Sequence, residues 1–170
     1  SQISMMYDYV DIFWVGSRNM HNSFLLRAVG EIDKPVILKR GFGATMKEWL
    51  MAAEYVLLGG NENVVLIERG IRTFNDWTRA TLDISAVPLV KQYSHLPIVV
   101  DISHSAGRPD IATGLTAAAI ASSADGLMVE VHPNPHKALS DAQQQLTPEQ
   151  FADVVKTVEY FDQRELTPQI

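Results

Sequence analysis

Five short apolar runs punctuate the chain, at residues 9–15, 35–38, 63–67, 96–100 and 126–131. They are rich in Val, Ile and Leu and do not alternate with polar residues, which predicts strands of a parallel sheet covered on both faces. Their starts are spaced like consecutive βαβ units of about 30 residues each. The stretches between them have room for helices. Residues 45–58 place Met46, Trp49, Leu50, Ala53, Val56 and Leu57 at helical spacing and stop at Gly59-Gly60. Residues 110–123 are Ala-rich, suited to a helix packed closely on strands. Thr147-Pro148-Glu149 opens a last helix with a cap residue, Pro at the first helical position and an acid in the first turn. Val154, Val155, Val158 and Phe161 supply its apolar face. No linker or low-complexity segment interrupts the pattern, so one domain is expected over 1–170.

The polar residues are placed unevenly. Each apolar run ends in a polar or charged cluster: Gly16-Ser-Arg-Asn, Lys39-Arg-Gly, Glu68-Arg-Gly, Asp101-Ile-Ser-His and Glu130-Val-His. In parallel α/β folds the C-terminal strand ends gather on one face, where active sites sit. Five clusters in succession point to a single site on the rim of a β/α barrel. The plainer alternative is that charges resume wherever a buried strand surfaces.

Two sets of residue types suggest chemistry. His104, Glu130 and Asp141 combine an imidazole with two carboxylates, a donor set suited to divalent Mn, Fe, Zn or Co. They sit on different segments that only a barrel rim would bring together; singly, His104 reads as a loop or capping histidine and Asp141 as a helix cap. Arg18, Lys39 and Arg69 form the second set at successive strand ends. Three converging cations need an anion between them, and a phosphate suits both the forked guanidinium and the compact ammonium. Gly16 and Gly41 would let backbone N–H groups approach the same anion, and Glu68 would balance charge in the rim. Arg72-Thr73 and Arg79 either reach a second anionic substrate or tie down the loop that carries them. His132 is a weaker rim candidate, His21, His95 and His136 read as surface residues, and Trp14, Trp49 and Trp77 as packing residues.

The totals narrow the classes. With 14 basic and 20 acidic side chains the net charge is −6, which argues against nucleic-acid or polybasic membrane binding. There are no cysteines, so no disulfide or thiolate site can be built, and a cytoplasmic location is the simpler expectation. The start of the chain lacks the pattern of a signal peptide.

Taken in order, Gly16-Ser-Arg-Asn-Met, Lys34-Pro-Val-Ile-Leu-Lys-Arg-Gly, Glu68-Arg-Gly-Ile-Arg-Thr-Phe, Asp101-Ile-Ser-His-Ser-Ala-Gly-Arg, Glu130-Val-His-Pro-Asn-Pro and Ala138-Leu-Ser-Asp closely resemble the type I 3-deoxy-D-arabino-heptulosonate 7-phosphate (DAHP) synthases, in the subgroup related to 3-deoxy-octulosonate 8-phosphate synthases. The resemblance spans residues 9–161. It implies a TIM (β/α)8 barrel of which this chain supplies about the last five units. It also implies a metal-dependent transferase of the shikimate pathway that condenses phosphoenolpyruvate with erythrose 4-phosphate and releases phosphate. By the same resemblance His104, Glu130 and Asp141 match the metal ligands, and Arg18, Lys39 and Arg69, with Ser17, the phosphoenolpyruvate site. Lys39 and His104 take catalytic roles, and Arg72, Thr73 and Asp141 are possible contacts to the second substrate. A homo-oligomer, dimer or tetramer, is the family's habit. Lys39-Arg40-Gly41 and the Ile71-Arg72-Thr73 sequence favour the heptulosonate over the octulosonate activity, which would take arabinose 5-phosphate. The family's fourth ligand is a cysteine on the first strand, and a Lys-Pro-Arg segment helps grip both substrates; neither occurs here. Both are expected upstream, together with the first three units and any regulatory domain. Alone, the chain is then expected to be inactive, or to be a half-barrel that associates through its sheet edges.

Overall fold

The apolar runs become strands, each shorter than the pattern suggests. The computed structural model describes residues 2–162; Ser1 and 163–170, the ends of the expected domain, lie outside the described residues. In chain order the elements are α1 (Gln2–Met6), β1 (Phe13–Val15), α2 (Ser23–Gly30), β2 (Val36–Lys39), α3 (Met46–Leu58), β3 (Val64–Glu68), α4 (Ala86–Tyr93), β4 (Ile98–Asp101), α5 (Ile102–Ala106), α6 (Ala112–Ala121), β5 (Gly126–Met128) and α7 (Pro148–Asp162). The strands form one parallel sheet in the order β1-β2-β3-β4-β5. Neighbours in chain order make a sector of a β/α barrel, whereas a doubly wound sheet reverses its order partway. Among the described residues no helix is long and apolar enough to cross a membrane.

β1 loses its expected first residues for a physical reason. Tyr7–Tyr9 forms a tight 3-10 turn held by Lys34, whose ammonium lies over the Tyr7 ring at 4.5 Å and donates to the carbonyls of Tyr7 and Val10. Carbonyls taken by a side chain are not free for a strand ladder. β5 ends at Met128, and Val131 survives only as an isolated bridge to Leu146.

Burial alternates along the strands. Val36, Leu38, Val64, Leu66, Ile98 and Val100 are buried under the helices, while Ile37, Val65 and Val99 on the opposite face are only half-buried and Trp14 is 52% exposed. The expectation of full cover on both faces therefore holds for one. Five strands do not close a barrel, so the axis-facing side stays partly open.

Helix placement follows local chemistry. Thr45 and Glu48 form a reciprocal capping box at the start of α3, and Thr147 does the same with Gln150 at α7. Trp49 of α3 is fully buried and its indole N–H donates to the Leu38 carbonyl, fixing α3 on β2. α2 and α3 meet where a Cβ on Gly30 would fall 2.7 Å from the Val56 carbonyl oxygen, so only glycine permits that approach. The apolar face expected on α7 is covered only at Val154; Val155 is 37% exposed and Val158 half-buried.

One charged cluster is built into this core. Arg40, at the end of β2, donates through Nη1 to Glu68 at the end of β3 and to Asp83 in the long loop beyond it, both at 2.8 Å, and through Nε to the Ala44 carbonyl. Arg40 and Glu68 are 4% and 0% exposed. Burial pushes the Glu68 carboxyl above its ordinary value despite Arg40, so the pair is held by its geometry. Removing one partner of such a pair is costly. Arg40→Met is expected to lower unfolding stability by about 3 kcal/mol in urea titrations; a loss under about 1 kcal/mol would mean the pair behaves as a surface one.

Candidate functional site

The strand ends carry the polar residues, and the corner between β4 and α5 organises them. Asp101 closes β4 and caps α5, its Oδ1 accepting from the His104 backbone N–H at 2.9 Å. α5 is a single short turn that ends at Gly107 with φ of 67°. The cap thereby fixes where the His104 imidazole points. Oδ2 of the same carboxylate pairs with the Lys39 ammonium at 2.5 Å and lies 2.9 Å from His104 Nδ1. The latter contact is close enough for an ion pair, but Nδ1 makes no aligned hydrogen bond. Burial would raise the Asp101 carboxyl, yet His104 and Lys39 together hold it below its ordinary value.

The other imidazole nitrogen faces outward. His104 Nε2 is 3.5 Å from Glu130 Oε1 and 3.8 Å from Asp141 Oδ2. One ligand atom from each of the three lies within 4.8 Å of the others, a spacing that can hold a metal ion. The donor set of one imidazole and two carboxylates fits a hard-to-borderline divalent cation. Asp101 behind the histidine supplies the carboxylate that commonly orients a metal-bound imidazole. Glu130 is set by the Ser103 hydroxyl, which accepts its backbone N–H at 2.9 Å.

Beside this triad lies a cavity of about 300 Å³ lined by Trp14, Gly16, Ser17, Arg18, Asn19, Lys39, Phe42, Arg69, Arg79, His104 and Asp141. The three cations expected at successive strand ends thus share one cavity. Arg69 is 2% exposed; among the described residues its Nη1 has no hydrogen-bond partner, and its Nη2 makes only a long 3.5 Å contact with the His104 carbonyl. Burial lowers Arg69 from the usual guanidinium value, with Asp101 opposing and Arg79 and Arg18 adding repulsion. Burial also lowers Lys39, partly offset by Asp101. Buried cations with unspent donors leave room for an anion. A wider groove of about 990 Å³ adjoins, shares Arg79 and Asp141, and runs along Trp77, Arg108 and Gln143.

Several expectations change. The Gly41 backbone N–H is taken by the Met20 sulfur at 3.1 Å, so it does not face the cavity. Trp49 is a packing residue, but Trp14 and Trp77 are 52% and 78% exposed and line the two hollows. Arg72 and Thr73 line neither; the Thr73 hydroxyl pairs with Thr81. Arg79 ties its loop to the site, donating to Asp141 Oδ1 at 2.8 Å and Gln144 Oε1 at 2.6 Å. His21, His95 and His136 are exposed, and half-buried His132 accepts from the Asn134 N–H. Ser103, Phe42 and Gln144 were not anticipated. Gln144 carries no pattern signal among Gln143, Gln144 and Gln145, and only its 3% exposure distinguishes it.

Comparison with known proteins identifies the family. The model of the DAHP synthetase I family matches residues 1–165. The phospho-2-dehydro-3-deoxyheptonate aldolase of Thermotoga maritima is 54% identical over 149 residues, covering 88% of this chain and 44% of that protein. The 2-dehydro-3-deoxyphosphooctonate aldolase of Desulfosudis oleivorans is 29% identical over 161 residues, 88% of this chain and 57% of that protein. Among solved structures, that of the Thermotoga maritima DAHP synthase superposes with a TM-score of 0.93 at 49% identity, over 95% of this chain and 48% of that one. The chain spans about half the length of the relatives it matches. With a barrel sector, a match over nearly all its residues and a relative at 54% identity, the chain belongs to the DAHP synthetase I family.

Proposed function

We propose that this chain forms the part of a 3-deoxy-7-phosphoheptulonate synthase that holds the metal and grips phosphoenolpyruvate. The observation that carries the reading is a single cavity whose wall includes Arg18, Lys39 and Arg69 together with His104 and Asp141. An anion and a divalent cation are accommodated side by side. The two-carboxylate, one-imidazole set suits Mn, Fe, Zn or Co. The greater identity to the heptonate enzyme than to the octonate enzyme, 54% against 29%, favours erythrose 4-phosphate as the aldose.

Within that reaction the enol carbon of phosphoenolpyruvate bonds to the aldehyde carbon of the sugar, water adds at C2 of phosphoenolpyruvate, and inorganic phosphate leaves. Arg18, Lys39 and Arg69 bind the phosphate and carboxylate groups of phosphoenolpyruvate and fix its orientation, with Ser17 at the same wall. Lys39, held by Asp101, also stands where it can move a proton. His104, Glu130 and Asp141 would hold the metal, which when bound polarises the aldehyde carbonyl or activates the water. The chain itself has no cysteine and offers three protein ligands, so its own turnover should fall orders of magnitude short of a complete site.

The chain is to be incubated with Mn²⁺, phosphoenolpyruvate and erythrose 4-phosphate while phosphate release is followed, alone and with the N-terminal β/α units of the Thermotoga relative added. Phosphate release is expected only with the added units, and slower with arabinose 5-phosphate; ordinary turnover by the chain alone would contradict the three-ligand reading. His104→Ala should abolish Mn²⁺ binding, and unchanged metal content would remove it from the ligands. Because burial holds Lys39 below the ordinary lysine value of 10.5, its charge is lost at lower pH than in a free lysine. Phosphoenolpyruvate affinity, read by calorimetry, should therefore decline on the alkaline side before that value is reached. Lys39→Arg, which stays charged, should move the decline to higher pH; an identical profile would mean Lys39 does not bear the anion.

A further inference from the structure

Two carboxylates that must converge on one cation repel each other until it arrives. Here each has one oxygen turned to His104 Nε2, Glu130 Oε1 at 3.5 Å and Asp141 Oδ2 at 3.8 Å. Their other oxygens are both restrained. Glu130 Oε2 accepts from Gln144 Nε2 at 2.6 Å. Asp141 Oδ1 accepts from Arg79 Nη1 at 2.8 Å, and the same Nη1 donates to Gln144 Oε1 at 2.6 Å. Gln144 is thus the link that joins both carboxylates into one frame.

The chemistry of the site asks for an amide at this position. It must donate at one end, to a carboxylate, and accept at the other, from a guanidinium. A glutamate would add a third negative charge and lose the donor; a lysine would lose the acceptor. The backbone adds to the restraint. The Gln144 N–H donates to the Asp141 carbonyl at 3.0 Å, closing a turn in which Asp141 adopts φ of 48°, a left-handed conformation that costs a non-glycine residue energy and persists only when its surroundings impose it. Two residues on, Leu146 is 1% exposed and exchanges backbone hydrogen bonds with the segment that follows β5, its N–H donating to the Glu130 carbonyl and its carbonyl accepting from His132. The ligand loop is therefore zipped to the segment after β5 that carries Glu130, and Gln144 lies inside the zipped turn.

We propose that Gln144 is a positioning residue of the metal site. It holds the outward oxygens of Glu130 and, through Arg79, of Asp141, so that their inward oxygens meet His104 Nε2 at a spacing ready for a divalent cation. This rests on the reading of His104, Glu130 and Asp141 as metal ligands, and the test separates the two. Mn²⁺ affinity of the 170-residue chain is measured from the free-ion electron paramagnetic resonance signal for the unaltered chain, for the isosteric Gln144→Met, and for Gln144→Asn, which keeps an amide too short to span both partners. Outer partners of metal ligands commonly change affinity by about tenfold to a hundredfold, and both variants should weaken Mn²⁺ binding in that range. Their visible spectra with Co²⁺ should change in band position, while unfolding midpoints without metal are recorded as a check on folding. If Gln144→Met does not fold, Gln144→Asn alone decides. If the unaltered chain takes up no Mn²⁺, the ligand reading falls and this inference with it. If it binds Mn²⁺ and a folded variant binds with the same affinity and the same Co²⁺ spectrum, the inference alone is overturned.

Discussion

The Asp101 carboxylate is the point on which the site depends. It is fully buried and divides its two oxygens among three tasks: capping α5, pairing with Lys39 and standing behind His104. Burying a carboxylate is expensive unless it is well paired, and here the pairing is what constructs the rim. The cap sets the direction of α5, which sets the imidazole; the ion pair draws Lys39 from β2 across β3 toward β4. A metal-type triad and an anion-type cavity thus share one buried negative charge as their common wall.

That arrangement needs the barrel geometry. Lys39 and Asp101 each end a strand, two strands apart in the sheet, and only side chains on the axis-facing side of a curved parallel sheet converge over an intervening strand. Ile67 of β3, in register with Lys39, is 1% exposed. Lower down the same face Ile37, Val65 and Val99 are only half-covered, so the sheet is best packed where the chemistry sits. The Arg40, Glu68 and Asp83 cluster reinforces this end by tying β2, β3 and the loop beyond β3 together.

Much of this was legible in the sequence because it follows from periodicity. Unbroken Val, Ile and Leu runs at βαβ spacing give parallel strands, and polar residues at their ends give a rim. Helical spacing and the Gly59-Gly60 stop located α3, and cap chemistry at Thr147 located α7. The candidate metal triad was recognisable as residue types at the last two strand ends and the loop after them, and the three cations as residue types at successive strand ends. The features that escaped depend on three-dimensional partners. Lys34 shortens β1 by claiming two carbonyls, which no pattern announces. The Gly41 N–H looked available until Met20 was seen to occupy it. Gln144 reads as one polar residue in a glutamine run, since nothing local separates a buried bridging amide from its exposed neighbour Gln143.

Trp14 departs from the packing role that its place on a strand suggests, for a physical reason. An indole on a parallel strand is ordinarily core, yet this one is half-exposed with the Lys39 ammonium 4.4 Å from its ring centre. Phe42 plays the matching part for Arg69 at 4.5 Å and Arg18 at 5.7 Å. A cation needs stabilisation once it leaves water, and a carboxylate for each would supply it. Carboxylates would also spend the charge that an incoming anion has to meet. An aromatic face attracts a cation through its quadrupole while leaving the net charge and the N–H donors in place. One carboxylate and two aromatic rings therefore keep buried Lys39 and Arg69 gathered with exposed Arg18 around a cavity of about 300 Å³ without neutralising them. The orphaned Nη1 of Arg69 is the visible consequence of that choice.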